Sequence, residues 1–162
     1  MAGFNEQDAI MEIREAVKHF FEVDKIKHDP FDEHNIAHAS FGVKSRFGHV
    51  DVFFRVQKDK LILRTYLPLK AGQEERSKVG EFLLRANYGL KVGGFDFDFD
   101  DGEISYRTTL YCGDDEFEPP TYEQIDFALM VSILTVDKYG DALAKVIFGL
   151  VEPEDAIESI EE

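Results

Sequence analysis

Tryptophan is absent, cysteine occurs once (Cys112), and the 162 residues include only five prolines. No apolar run comes near the roughly 20 residues of a membrane span. A lone cysteine excludes an internal disulfide framework and fits a reducing compartment, the cytoplasm. Proline and glycine are too scarce for a low-complexity chain, and a hydrophobic fraction of 44% suits a folded domain. Met1 to Arg14 is charged throughout and lacks an apolar signal core, so secretion is not expected. Basic residues run short in one half only. Residues 1–91 hold 15 Lys and Arg against 14 Asp and Glu, whereas residues 92–162 hold 3 against 19. The formal charge of −15 argues against nonspecific binding to nucleic acid or to anionic membrane, both of them also negative. Three clusters make the excess: Asp96 to Glu103, Asp114 to Glu118 and Glu152 to Glu162.

What is present reads as one domain over residues 1–162 with a short acidic tail from about residue 152. Ile10, Ile13, Val17 and Phe20 recur at helical spacing and predict a helix over 5–21, capped by Asn5. The weak alternation of 22–28 predicts a short strand, which Asp29-Pro30 ends. Strands follow over 36–43, 49–57 and 61–67, joined too closely for parallel crossovers. A helix over 73–88 buries Val79, Phe82, Leu83 and Ala86, and Gly89 is placed as its left-handed stop.

A hairpin over 94–100 and 103–111 is expected to turn at Asp101-Gly102. That register pairs Phe97 with Tyr106, Phe99 with Ile104 and Asp96 with Arg107, leaving Asp96, Asp98 and Asp100 as an acidic ladder on the wet face. Thr121 with Gln124 reads as a capping box for a long helix to Phe148. That helix is apolar nearly all round, so a second layer or a partner subunit must cover what the sheet does not; Gly140 is a candidate bend. Pro153 to Ile160 reads as a last short helix with Ala156, Ile157 and Ile160 on one side.

No constellation supports catalysis. His34 and His38 have the spacing of helical metal ligands, but their segment leads into a strand and reads as loop. The stretch from Asp96 misses a calcium loop, since its glycine comes one position late and Arg107 stands where a bidentate Glu is needed. Gly89 to Gly94 lies between a helix and a following strand, the wrong order for a phosphate loop. Acids downstream of Cys112 disfavour a thiolate, and no nucleophile elbow occurs. The residues therefore imply no enzyme, no cofactor and no metal centre.

Leu67-Pro68-Leu69, Arg85-Ala86-Asn87-Tyr88-Gly89-Leu90, Gly94-Phe95-Asp96-Phe97-Asp98, Tyr106-Arg107-Thr108, Asp137-Lys138-Tyr139 and Ala142-Leu143 occur in that order. In this order, from Leu67 to Val146, the chain resembles the YbjN family of bacterial proteins; the opening helix and meander follow the same layout more loosely. The resemblance implies an α+β, two-layer fold like that of type III secretion chaperones, an antiparallel sheet with helices on one face, often dimeric. It also implies regulation rather than catalysis, and brings no catalytic residues with it. The expectation is a cytoplasmic, non-catalytic homodimer that binds a protein partner. Its interface is expected on the long helix at Leu129, Met130, Ile133, Leu134 and Asp137. The alternative is a small-molecule or cation sensor that uses the acidic surface at Asp96, Asp98 and Asp100.

Overall fold

The computed structural model describes residues 5–113 and 118–161. The elements run α1 (Glu6–Asp24), β1 (Ile36–Gly42), β2 (His49–Gln57), β3 (Lys60–Tyr66), α2 (Arg76–Gly89), β4 (Gly94–Phe97), β5 (Ile104–Tyr111), α3 (Tyr122–Ile147) and α4 (Pro153–Glu161). The five strands form one antiparallel sheet in the order β1-β2-β3-β5-β4. α1, α2 and α3 cover one face of it and α4 packs on α2 and α3, which is the expected α+β arrangement of a sheet with helices on one face.

Strict alternation builds this core. Val50, Val52, Phe54 and Val56 of β2, with Leu61, Leu63 and Thr65 of β3, point under the helices and are at most 2% exposed. Ala37 and Ala39 continue the face on β1, and Ile104, Tyr106 and Thr108 on β5. From the other side α1 inserts Ile13, Val17, Phe20 and Phe21, and α2 inserts Val79, Phe82 and Leu83. Each buried Leu, Ile, Val or Phe contributes about 1.5–3 kcal/mol.

α1 begins where Asn5 accepts from the Gln7 amide at 2.9 Å. It does not stop at Phe21. Glu22 to Asp24 form its last turn, and Lys25, left-handed at φ 54°, ends it, so no strand forms over 22–28. Lysine at a left-handed stop leaves no glycine signal to read. The helix over 73–88 opens with a 3-10 turn, Gln73–Glu75, and keeps Gly89 inside α2; the left-handed residue is Gly93.

The β4–β5 hairpin departs from the expected register by two residues. Phe95 pairs with Tyr106, Asp96 with Ser105 and Phe97 with Ile104. The turn is wider than Asp101-Gly102, because Asp98 accepts from the Asp100 amide at 2.8 Å and Asp101 from the Glu103 amide at 2.8 Å. The Asp98 carbonyl accepts from the Gly102 amide at 2.7 Å, and the Gly102 carbonyl from the Ala71 amide at 2.9 Å. Gly102 has φ 82°, and a Cβ there would collide with the Ala71 backbone.

α3 starts at the expected capping box: Thr121 Oγ1 accepts from the Gln124 amide at 3.1 Å, and the Gln124 side chain accepts from the Thr121 amide at 2.9 Å. It runs unbroken through Gly140. That glycine serves close approach, since a Cβ would lie 2.8 Å from the Ser45 side chain. The β1–β2 loop rests there, its Ser45 and Arg46 amides donating to Asp137 at 2.7 Å and Asp141 at 2.8 Å. α4 packs on α2 and α3 through Pro153, Ala156 and Ile157, so the residues after 152 form an amphipathic helix. The expected acidic cluster at Asp114 to Glu118 lies, apart from Glu118, outside the described residues.

Both borders of the sheet are partly occupied. At β4, the Asn87 amide group donates to the Phe95 carbonyl at 3.0 Å and accepts from the Phe95 amide at 2.7 Å, standing in for a sixth strand. At β1, the Asp29 amide donates to the His38 carbonyl at 2.8 Å and the Asp32 amide to the Ile36 carbonyl at 2.9 Å. The Asp32 carboxylate accepts from the Ile36 amide at 3.0 Å.

Two substitutions test this account by urea unfolding. Gly102→Ala should cost more than about 2 kcal/mol, from the left-handed backbone and the collision together. A cost under about 0.5 kcal/mol would mean that the loop does not cross Ala71 this closely. Asn87→Ala strips two hydrogen-bond partners from Phe95 and should cost about 1–3 kcal/mol; an unchanged midpoint would remove Asn87 from its role at the β4 border.

Candidate functional site

α3 divides the five residues expected at an interface. Leu129 is buried at 4% exposure and belongs to the core. Asp137 is held by the Ser45 amide and organises the β1–β2 loop. Ile133 is half-buried against the core. Met130 and Leu134 are exposed at 44% and 59%, and Phe127 joins them at 58%. Positions 127, 130 and 134 share one side of a helix, so they make a continuous apolar row. The other apolar positions of α3 face β3 and β5 and α1, α2 and α4, which answers part of its all-round apolarity from within the chain.

The acidic ladder does not form. β4 ends at Phe97, so Asp98 and Asp100 lie in the turn, where the Asp98 side chain holds the Asp100 amide. Asp96 is engaged by Arg107 at 2.9 and 3.3 Å and by Arg64 at 3.5 Å. Among the described residues no three His, Cys, Asp or Glu side chains are grouped to hold a metal ion.

The sheet face away from the helices carries a different chemistry. The register lays its side chains in rows across the strands. One row runs Ile36, Arg55, Ile62, Thr109; the next runs His38, Phe53, Arg64, Arg107; a third runs Ser40, Asp51, Tyr66, Ser105, Asp96. Between the first and third rows lies a depression of about 430 Å³. Its floor is Ile36, Phe53, Ile62 and Tyr66; Arg55 and Arg64 flank it, and Leu67, Lys70 and Glu103 line it beyond β3. Three cations thus line it against one carboxylate, in a chain of net charge −15.

The aromatic wall is fixed by its neighbours. His38 stacks on Phe53 with ring centroids 4.7 Å apart, and Phe53 meets Tyr66 edge-on at 5.4 Å. His38 is itself held at both nitrogens: Nδ1 lies 3.0 Å from Asp29 Oδ2 and Nε2 2.9 Å from Asp51 Oδ1. Two carboxylate acceptors require two N–H donors, which only the imidazolium supplies. Partial burial opposes the charge, but Asp51 and Asp29 outweigh it, so the His38 pKa is raised above 6.5. Asp51 accepts from the Ser40 hydroxyl at 2.5 Å; this donor first, and His38 after it, outweigh burial and hold its carboxyl below 3.8. The Arg55 side chain makes no hydrogen bond or ion pair among the described residues. His34, in an exposed turn beside Glu33, takes no part.

Sequence reasoning passed over this face, because its side chains occupy the outward positions of ordinary amphipathic strands. The legible signal is what stands there: Phe53, Arg55, Ile62, Arg64 and Tyr66 mix apolar and cationic groups where a wet face needs neither aromatic nor aliphatic residues.

The His38 arrangement has a defined pH dependence. A folded pKa above the unfolded value stabilises below 6.5 and stops stabilising as pH rises through the folded value. Asp51, lowered from 3.8, stabilises above that value and loses its contribution in stronger acid. Wild type should therefore exceed His38→Gln in urea stability by more at about pH 5.5 than at about pH 9. An equal difference at both would show that His38 is neutral in the fold.

A model of the YbjN family, described as "Putative bacterial sensory transduction regulator", matches residues 14–145. Among solved structures the chain is similar to the crystal structure of YbjN from E. coli, "a putative transcription regulator". The two are 11% identical, superpose with a TM-score of 0.55, and the match covers 76% of this chain and 85% of that one. None of the curated proteins matches the chain.

Proposed function

Because the chain belongs to the YbjN family of bacterial regulators, we propose that it regulates without catalysis, by binding protein, and that it does so as a homodimer joined along α3. The observation that carries this reading is the exposed row Phe127, Met130 and Leu134 on a helix whose other apolar positions are packed within the chain. Exposed aromatic, Met and Leu side chains in one line are the material of an interface core, with polar residues around them as a rim.

A second copy suits the row by its charge. Antiparallel pairing centred between Met130 and Leu134 sets Met130 of one copy against Leu134 of the other. The same two-fold arrangement brings Asp126 opposite Lys138, neither of which has an ion pair among the described residues. The acidic helices α3 and α4 would then present Glu154, Asp155 and Glu158 outward, toward basic segments of the regulated protein.

The alternative, a cation sensor built on Asp96, Asp98 and Asp100, has less support, since Asp96 is already neutralised by Arg107.

Analytical ultracentrifugation tests the pairing. Wild type should sediment at twice the 18.6 kDa chain mass. Leu134→Asp lies on an exposed side chain, should change folding stability by no more than about 0.5 kcal/mol, and should sediment as a monomer. A wild-type monomer, or a dimer that survives Leu134→Asp, would refute the α3 interface.

A further inference from the structure

We propose that the depression on the helix-free sheet face is a binding site for one small amphiphilic anion: an apolar ring or branched chain bearing a single carboxylate, sulfonate or phosphate. Size, charge and rigidity each bear on this, and none depends on pairing along α3.

The volume of about 430 Å³ falls within the range of small-molecule sites. Leu67, Lys70 and Glu103 line it beyond β3, and Arg64 and Glu103 also border a second depression toward β4.

The charge is specific to this spot. Arg64 and Arg107 share the one carboxylate of Asp96, and Arg107 holds both of its oxygens, so Arg64 keeps donors to spare. The Arg55 side chain has no hydrogen bond or ion pair among the described residues. The two arginines sit on adjacent strands, Arg55 opposite Ile62 and Arg64 opposite Phe53, so they are diagonal neighbours on one face. Two guanidiniums with free N–H donors suit one oxyanion, which each can bind through paired N–H groups. Lys70 is drawn toward Asp101 at 3.6 Å and adds field rather than a further site.

The floor is preorganised. Phe53 is fixed between the His38 ring and Tyr66, and Ile36 and Ile62 extend the apolar surface beside it. A ligand lying there would bury its apolar body without first ordering these side chains, which removes one cost of binding.

The probe for the test is 8-anilinonaphthalene-1-sulfonate, an aromatic body with one sulfonate, followed by its fluorescence. N-phenyl-1-naphthylamine, the same rings without charge, is the comparator. Wild type should bind one sulfonate per chain, and octanoate should displace it where octylammonium does not. Arg55→Glu, an exposed and unpaired position, should keep the wild-type melting temperature. It should weaken the sulfonate at least tenfold, about 1.4 kcal/mol, while leaving the neutral probe unchanged. Leu134→Asp should leave the sulfonate affinity unaltered, which separates this site from the α3 row. The proposal fails if wild type does not bind the sulfonate, if Arg55→Glu binds it as tightly as wild type, or if Leu134→Asp abolishes binding. It also fails, in favour of a peptide groove, if only an acidic aromatic decapeptide binds and Arg55→Glu weakens it.

Discussion

Period-two burial in β2 and β3 is the constraint on which the other parts depend. Val50, Val52, Phe54, Val56, Leu61 and Leu63 all need the same cover, and the helices on one side supply it. With that face committed, the outward side chains of the sheet are held in a register that cannot slip. A one-residue shift of β2 would exchange Phe54 for Arg55 in the core, at the cost of burying a charge without a partner. The depression between Phe53, Arg55, Ile62, Arg64 and Tyr66 is thus set in place by the core beneath it.

The two layers differ in electrical character as well as in structure. α4 carries Glu154, Asp155, Glu158 and Glu161 without a basic residue, whereas Arg55, Lys60, Arg64 and Arg107 project from the opposite side of the sheet. A single net charge of −15 hides this division. Local fields at the two surfaces favour ligands of opposite sign, because screening in physiological salt confines each field to about 8 Å.

Much of the fold was legible because its signals are local. Asn5 and the Thr121–Gln124 capping box announce α1 and α3 within three residues, and β2 spans the same residues that its alternation marks. The misreadings came where distant contacts or unmarked backbone decide. Lys25 takes a left-handed turn that glycine would have advertised. The β4–β5 turn widens because Ala71, some thirty residues earlier in the chain, donates to Gly102, and Arg76 to the carbonyls of Phe99 and Asp100. Gly140 looked like a bend and is instead the place where Ser45 comes down on the helix. The candidate surfaces show the same division. An apolar α3 was readable, but which of Leu129, Met130 and Leu134 faces outward depends on where α1, α2 and α4 pack. The cationic depression needs three strands in register before Arg55 and Arg64 become neighbours.

The partly occupied borders of the sheet have a consequence for life in a crowded cell. An open edge strand recruits other chains by backbone pairing, the route into fibrils. Here an incoming strand finds the Phe95 amide and carbonyl already taken by Asn87, and the Ile36 and His38 carbonyls by Asp32 and Asp29. Backbone pairing carries little information about which chain is being paired, so groups taken within the chain are withdrawn from indiscriminate association. Where a border is taken in this way, an incoming strand finds fewer backbone groups to pair with, and the sheet is less adhesive along it.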